Sequence, residues 1–372
     1  MAGTLLVLNS GSSSLKFKVF RFDTLEPLAS GEVESIGGEA AFRIARTSGQ
    51  NLSKPKALPK GANHEAALDA VLRAVTAPDT GWSVTGVAHR IVHGGTLYTR
   101  PVIVTPRVIH DLTSLIPLAP LHQPHGLAAI AASDKLIADV PDVACFDTAF
   151  HAGIGEVFRT FAIEKPLRDA GVRRYGFHGL SFEWIARVLA QQHPDLARGR
   201  VVIAHLGNGA SLCALHDGRS VDTTMGLTAL DGLPMGTRSG SIDPGAVLYA
   251  QRALGMRPDE IEASLYQRSG LLGLSGLTND VRVLLTSDDP AARFALDHFA
   301  LKVSQFTAMM AVSMGGIDAL VFTGGIGEHA TPVRDAIVAR LKPLGAFKVL
   351  VMTSNEETMM AVHARTLIED NE

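Results

Sequence analysis

The sequence predicts an α/β protein of two domains, each opening with a strand, a glycine-rich turn and a second strand. The chain has 372 residues, more than one core of ordinary size accommodates. Apolar runs of strand length alternate with longer stretches of helical periodicity, the pattern of an α/β architecture. The hairpin pattern that opens the chain also recurs near its middle.

In the first copy, Thr4 to Leu8 is a short apolar run ended by the turn-prone Asn9-Ser-Gly-Ser-Ser-Ser14, and Leu15-Lys-Phe-Lys-Val-Phe20 alternates as a strand does. Asn63 to Ala77 and Gly126 to Ala138 carry apolar residues at helical spacing, and strands fit Gly86 to Val92 and Val143 to Phe146. The second copy runs Val201-Val-Ile-Ala204, His205-Leu-Gly-Asn-Gly-Ala210, Ser211-Leu-Cys-Ala-Leu215, with a third strand at Arg219 to Thr223 after the turn Asp217-Gly218. Beyond it Pro290 to Met314 is expected to be helical, Asp318 to Phe322 a strand, Thr331 to Lys342 a helix and Phe347 to Met352 a strand. The first domain is expected to end near Thr148, with no Gly/Ser linker at the join.

Composition narrows the function classes. Thirty-four Lys and Arg against thirty-seven Asp and Glu leave a formal charge of −3 without long like-charge runs, which argues against a nucleic-acid surface. Cys145 and Cys213 lie in apolar runs and offer neither a disulfide framework nor metal-ligand spacing, as expected in a reducing cytoplasm. The N-terminus lacks the basic start and apolar length of a secretion signal, so export is not expected. Phe306 to Ile317 is too short for a bilayer span and is broken by Ser313, Gly315 and Gly316, so it reads as part of a buried helix.

Small residues and hydroxyls in Asn9-Ser-Gly-Ser-Ser-Ser-Leu-Lys16 let backbone N–H groups and Ser Oγ approach a phosphate closely. The pattern is not a Walker A loop, because a second glycine before a Lys-Ser/Thr pair is missing and a strand follows. A single polar hairpin of this kind is commonly structural; its repetition around Leu206-Gly-Asn-Gly209 argues for function. Asp318-Ala-Leu-Val-Phe-Thr-Gly-Gly-Ile-Gly-Glu-His-Ala330 is a strand running through glycines into a helix start, a geometry suited to nucleotide phosphate or ribose. Gly325-x-Gly327-x-x-Ala330 also matches the loose dinucleotide fingerprint. The acid expected about 20 positions on is missing there, the first being Glu356, which disfavours a dehydrogenase.

Phosphoryl transfer to a carboxylate needs cations for the equatorial oxygens and for the acid. Arg90, in His89-Arg-Ile-Val-His-Gly-Gly95, and Arg238, in Met235-Gly-Thr-Arg-Ser-Gly240, stand among glycines and small residues as such cations would. Tyr175-Gly-Phe-His-Gly179 and Phe146-Asp-Thr-Ala-Phe-His151 place a histidine and an aspartate beside aromatics and glycines. In His122-Gln-Pro-His125 the proline and the absence of further ligands argue against a metal pair, leaving loop structure with at most one phosphate-facing histidine.

In order along the chain, Asn9 to Lys16, His89 to Gly95, Phe146 to His151, Tyr175 to Gly179, His205 to Gly209, Gly236 to Gly240, Gly324 to Glu328 and Asn355-Glu-Glu357 resemble the motifs of acetate kinases. The resemblance covers nearly the whole chain. It implies two duplicated actin-like ATPase domains of ribonuclease H-like fold with an interdomain active-site cleft. The N-terminal domain would be residues 1–148 plus a C-terminal helix at about 359–372, and the second domain, with the nucleotide site, 149–358. It also implies a cytoplasmic homodimer that binds neither nucleic acid nor membrane, takes acetate or another short carboxylate, and uses ATP or ADP with Mg2+ or Mn2+.

Residue by residue, the resemblance implies that Arg90 and Arg238 hold the acyl carboxylate and the phosphoryl group in flight, that His178 hydrogen-bonds the latter, and that Asp147 orients the carboxylate or an arginine. Asn9 and Glu356 would lie near the metal, and Ser12, Ser14 and Lys16 near the transferring phosphate. His205, Leu206, Gly207, Asn208 and Gly209 would face the β- and γ-phosphates. Asp280, Val281, Arg282, Gly324, Gly325, Ile326, Gly327 and His329 would form the nucleoside side, and Val92, Leu121, Phe177 and Ala229 the acyl pocket.

Three departures stand out. Met225-Gly-Leu-Thr-Ala229 replaces the family's Met-Gly-Phe-Thr-Pro, removing ring atoms in a way that favours room for propionate; His329 replaces an asparagine on the nucleotide side; Gly240-Ser241-Ile-Asp243 replaces Gly-Asp-Ile-Asp. The rivals are a propionate or other short-acyl kinase, a non-enzymatic actin-like ATP switch, and, through Gly325 alone, a nicotinamide dehydrogenase.

Overall fold

In the computed structural model, which describes residues 2–11, 13–49, 56–137 and 139–371, the chain divides into two units, Met1–Ala149 with Asn355–Glu372, and Phe150–Ser354. Each is built on its own sheet. In the first unit the strands are β1 (Ala2–Ser10), β2 (Leu15–Arg21), β3 (Pro27–Glu34), β4 (Ala41–Arg46), β5 (Lys56–Ala57), β6 (Trp82–Ile91), β7 (Val102–Ile103) and β8 (Asp142–Phe146), in spatial order β5-β4-β3-β2-β1-β6-β8-β7. The second unit has β9 (Arg200–Leu206), β10 (Ala210–His216), β11 (Arg219–Thr223), β12 (Ala319–Thr323) and β13 (Lys348–Val351), in order β11-β10-β9-β12-β13.

The duplication read from the hairpins extends to topology. In the first unit β3, β2 and β1 are antiparallel neighbours, and β6 and β8 continue parallel to β1. In the second unit β11, β10 and β9 repeat the antiparallel part, while β12 and β13 run parallel to β9. Third, second, first, fourth, fifth is thus the order of both. Two antiparallel pairings in the second sheet, both made by β10, also set it apart from the parallel dinucleotide-binding sheet, which removes the context the glycine fingerprint requires.

Alternation decides which side chains become core. In the first unit Leu6, Leu8, Phe17, Val19, Phe42 and Ile44 pack against Leu68, Val71, Leu72 and Val75 of the helix His64–Val75, whose start is capped by Asn63 accepting from the Ala66 N–H at 2.9 Å. In the second, Val201, Ile203, Cys213, Leu215 and Val321 meet Phe182, Ile185 and Leu189 of the helix Gly179–Gln192. The helix Pro290–Ser313 packs on β9, β10 and β11. Residues 306–313 therefore belong to a long helix, and it stops before Ile317. Among the described residues no helix is long and apolar enough to cross a membrane.

One ion pair ties β9 to β12 where both begin. Asp318 accepts from Arg200 at the backbone N–H (2.7 Å), Nε (3.0 Å) and Nη2 (2.6 Å). These bonds hold its carboxyl down at about 2, below the usual range. A depressed acid stabilises the fold above its ordinary pKa and loses that contribution as pH falls toward 2. The pair is about one-third exposed, so the effect is discounted for solvent screening. Asp318→Asn is expected to lower Tm by roughly 2–4 °C above about pH 5, with the difference closing near about pH 2. A pH-independent difference in calorimetry would refute the ionic origin.

Candidate active site

In the first unit, the turn between β1 and β2 carries the first glycine motif. Asn9 pairs with Lys16 and Ser10 with Leu15, and the Gly11 N–H closes the turn on the Ser14 carbonyl at 2.8 Å. Lys16 is exposed, and Ser12 lies outside the described residues.

Arg90 lies next to the end of β6, opposite Cys145 of β8, so the chain leaving β8 brings Asp147 alongside it. The guanidinium donates through Nε (2.9 Å) and Nη2 (2.7 Å) to the two oxygens of Asp147, a planar fork that fixes its direction. Its Nη1 stands 3.1 Å from Glu356 Oε2, at the first turn of the helix Glu356–Glu369. Burial alone would lower the pKa of Arg90, but Asp147 and Glu356 raise it, so the cation is secure. Burial pushes the Glu356 carboxyl up to about 7 against the pull of Arg90. Of the acyl-pocket candidates in this unit, Val92 is half-buried and Leu121 is exposed.

Among the described residues no cluster of three or more His, Cys, Asp or Glu could cage a metal ion. Asn9 has an amide oxygen and Glu356 a carboxylate, the oxygen-donor type that a hard cation such as Mg2+ takes.

In the second unit the turn after β9 is built from small residues, closed by the Gly207 N–H on the Gly209 carbonyl at 2.9 Å. His178 caps the helix Gly179–Gln192 in a left-handed conformation, φ +57°. Its Nδ1 meets Ser211 Oγ at 2.8 Å and its ring stacks on His205 with centroids 4.4 Å apart. His205 Nδ1 is held in turn by Ser181 Oγ at 2.8 Å. These contacts orient both rings from the Nδ1 side.

A Cβ placed on Gly209 would stand 3.1 Å from His178 Nε2 and 4.0 Å from Arg238 Nη1, so the imidazole and the guanidinium converge on this turn. Arg238 Nη1 also donates to the Ala229 carbonyl at 3.1 Å, tying it to the loop with the alanine departure. Ser241, another departure, donates to Asp231 at 2.6 Å and accepts from the Gly232 N–H at 3.1 Å, within the same loop. Gly236 is required sterically: its N–H donates to the Asn208 carbonyl at 2.9 Å, and a Cβ there would stand 2.1 Å from Asn208 Oδ1. Phe177 is buried, its carbonyl 3.0 Å from His151 Nε2.

The helix Gly324–His329 begins where β12 ends, and Gly324 is needed there twice over: its φ is +75°, and a Cβ would stand 2.8 Å from the Leu206 carbonyl oxygen. Oε1 of Glu328 accepts from the N–H groups of Gly324 and Ser354, both at 3.0 Å, which holds the turn. The two glycine turns are neighbours, since a Cβ on Gly207 would lie 4.0 Å from the Gly325 nitrogen. Arg334 bonds the Gly327 carbonyl at 2.9 Å; Ile326 is half-buried, while Gly325 and His329 are exposed. Asp280 caps the helix Val281–Thr286 and forks with Arg282 at 3.1 and 2.7 Å, and the Arg282 hydrogen bonds hold its carboxyl at about 2. Val281 is buried.

Glu328 lies within the Gly324 to Glu328 motif and Ser211 within the second hairpin, but neither these nor Ser181 carries a sequence signal of its supporting role, because serines in strands and helices and a glutamate on a short helix are ordinary there.

Comparison with known proteins gives a consistent picture. A family model described as the acetokinase family matches residues 4–368. An acetate kinase of Rhodopseudomonas palustris is 46% identical over 93% of this chain and 88% of its own length. A solved propionate kinase of Francisella tularensis aligns with TM-score 0.93 at 33% identity, covering 98% of this chain and 100% of its own. Acetate kinase of Porphyromonas gingivalis aligns with TM-score 0.88 at 31% identity, over 99% and 100%. The duplicated two-domain actin-like architecture is the fold of these kinases and of this chain.

Proposed function

Since this chain belongs to the acetokinase family, we propose that it transfers the γ-phosphoryl group of ATP to acetate, giving acetyl phosphate and ADP, and catalyses the reverse. The observation that carries the reading is the convergence of His178 and Arg238 on the Gly209 turn: a cation and a ring donor at a turn of small residues suit a phosphoryl group in flight.

A carboxylate oxygen of acetate attacks the γ-phosphorus as the bond to the β,γ-bridging oxygen breaks, and that electron pair leaves on ADP. No covalent enzyme intermediate is required. Arg90, aimed by Asp147, holds the acyl carboxylate; Arg238 and His178 neutralise the equatorial oxygens; Ser12, Ser14 and Lys16, with His205 to Gly209, attend the phosphates. Asp280 to Arg282 and Gly324 to Gly327, with His329, take the nucleoside. Asn9 and Glu356 would be the protein donors to Mg2+ or Mn2+, which would supply charge neutralisation.

We also read the chain as a cytoplasmic homodimer. The helix Pro244–Arg252 buries none of its residues, and Ile242, Leu248, Tyr249 and Leu254 around it are exposed, an apolar surface suited to a second copy.

Acyl preference rests on Val92, Leu121, Phe177 and Ala229. The alanine, together with the likeness to a propionate kinase, favours propionate as a close second substrate. One methylene in an apolar pocket is worth about 1–3 kcal/mol. Acetate is therefore expected to exceed propionate in kcat/KM by no more than roughly 200-fold, with butyrate lower still. A hydroxamate trap across the three acids tests this: a butyrate preference defeats the ranking. ATP binding without any acyl hydroxamate points instead to a non-enzymatic ATP switch.

A further inference from the structure

We propose that His64 is a positioning residue for the phosphate-facing turn after β1, acting through the carbonyl of Gly11. Its Nε2 lies 2.8 Å from that carbonyl oxygen. A carbonyl only accepts, so this nitrogen carries the proton and the tautomer is set by the contact. His64 is the first residue of the helix His64–Val75, which packs on β2 and β4 and whose apolar face is anchored in the core. The donor therefore projects from a rigid element.

The reason such a donor matters is the direction of the peptide dipoles. A turn that receives phosphate must keep its carbonyl oxygens away from the anion and leave its N–H groups and hydroxyls to meet it. Three carbonyls of the described turn are committed elsewhere. Gly11 accepts from His64, Ser13 from the Ile36 N–H at 2.9 Å, and Ser14 from the Gly11 N–H at 2.8 Å. Two of those donors are backbone groups. His64 is the side chain among them, so it can be tested without disturbing the chain path.

A second histidine backs the first. The ring of His125 stacks on that of His64 with centroids 5.3 Å apart. His125 lies on the helix Gln123–Leu136, and Gln123 of the same turn exchanges bonds with the backbone of His93, at 3.3 and 3.0 Å, close beyond Arg90. One helical turn thus braces the phosphate turn through His125 and His64, and the chain beyond Arg90 through Gln123. Gln123 and His125 of the motif His122-Gln-Pro-His125 both take part in this bracing.

The inference rests on the proposed kinase activity, and its test separates the two. Acyl hydroxamate formation is measured for the wild type, His64→Leu and His64→Gln, varying ATP and acetate independently, with Tm recorded for each. Leucine removes the donor and glutamine supplies an amide N–H in its place. For His64→Leu the KM for ATP is expected to rise about threefold to tenfold, the equivalent of one hydrogen bond, with the KM for acetate within about twofold. His64→Gln is expected to recover most of that rise. Equal rises for both substrates, an unchanged KM for ATP, or no recovery with glutamine at unchanged Tm would each overturn the positioning role. Absence of hydroxamate from the wild type would overturn the kinase reading itself.

Discussion

Arg238→Ala is expected to lower kcat by roughly 10³ to 10⁵ while leaving the KM for ATP within a few-fold, the scale on which arginines act at phosphoryl transition states. The backbone of the loop does not depend on the side chain: the Met235 N–H donates to the Arg238 carbonyl at 3.0 Å, and Gly236 is bonded to Asn208. The side chain donates to the Ala229 carbonyl at 3.1 Å and approaches Met235 Sδ at 3.8 Å, contacts worth little beside the expected change in turnover. What is lost is the cation beside Gly209, which on the proposed reaction neutralises the phosphoryl group in flight. Arg238→Lys is expected to fall between, since lysine keeps the charge without the planar fork. Single-turnover measurement of acetyl phosphate checks this, and alanine turnover within about tenfold of wild type would remove Arg238 from the chemical step.

A different signature is expected of Arg90→Ala, because this arginine neutralises two carboxylates besides the substrate-holding role proposed for it. Asp147 and Glu356 approach it at 2.7 and 3.1 Å. Asp147 is buried and Arg90 and Glu356 are partly buried, so removing the arginine strands charge at a cost below the ~3–5 kcal/mol of a fully buried pair. The variant should unfold at clearly lower urea concentration, and kcat/KM for acetate should fall by about 10- to 100-fold, the worth of a charge-assisted hydrogen bond. Adding Asp147→Asn removes one of the stranded charges. The double variant is expected to regain a large part of the stability and none of the acetate selectivity. Recovery of both would mean that Arg90 serves the fold alone.

How legible the fold was depends on the element. β11 was read at its observed bounds, and the hairpin strands, the helix Asn63 to Ala77 and the helix from Pro290 were read within a few residues, because alternation, capping and turn chemistry agree there. β3 and β4 carry no comparable signal. Gly31 interrupts β3 since a Cβ would stand 2.2 Å from the Arg43 carbonyl and 2.5 Å from the Phe17 ring, so close packing of neighbours dictates a residue that weakens the strand pattern. The site shows the same division. Glycines, arginines and histidines in unusual company drew attention to themselves. Ser181 and Ser211, which hold His205 and His178, resemble ordinary helix or strand residues until their partners are seen, as does His64 beside the Gly11 carbonyl.

By itself the sequence determined the duplicated α/β plan, the family and the residue types for phosphoryl transfer, because turn chemistry and hydrophobic period are local properties and the motifs occur in a fixed order. Tertiary structure alone decided which of those residues act together. Arg90 and Asp147 are 57 positions apart and meet because β6 and β8 run parallel in a register that brings the end of one beside the exit of the other. His178 and Ser211, 33 apart, meet because a helix start is laid over the hairpin. Parallel pairing and helix-on-sheet packing join distant segments, and no local pattern encodes which segment will be the neighbour.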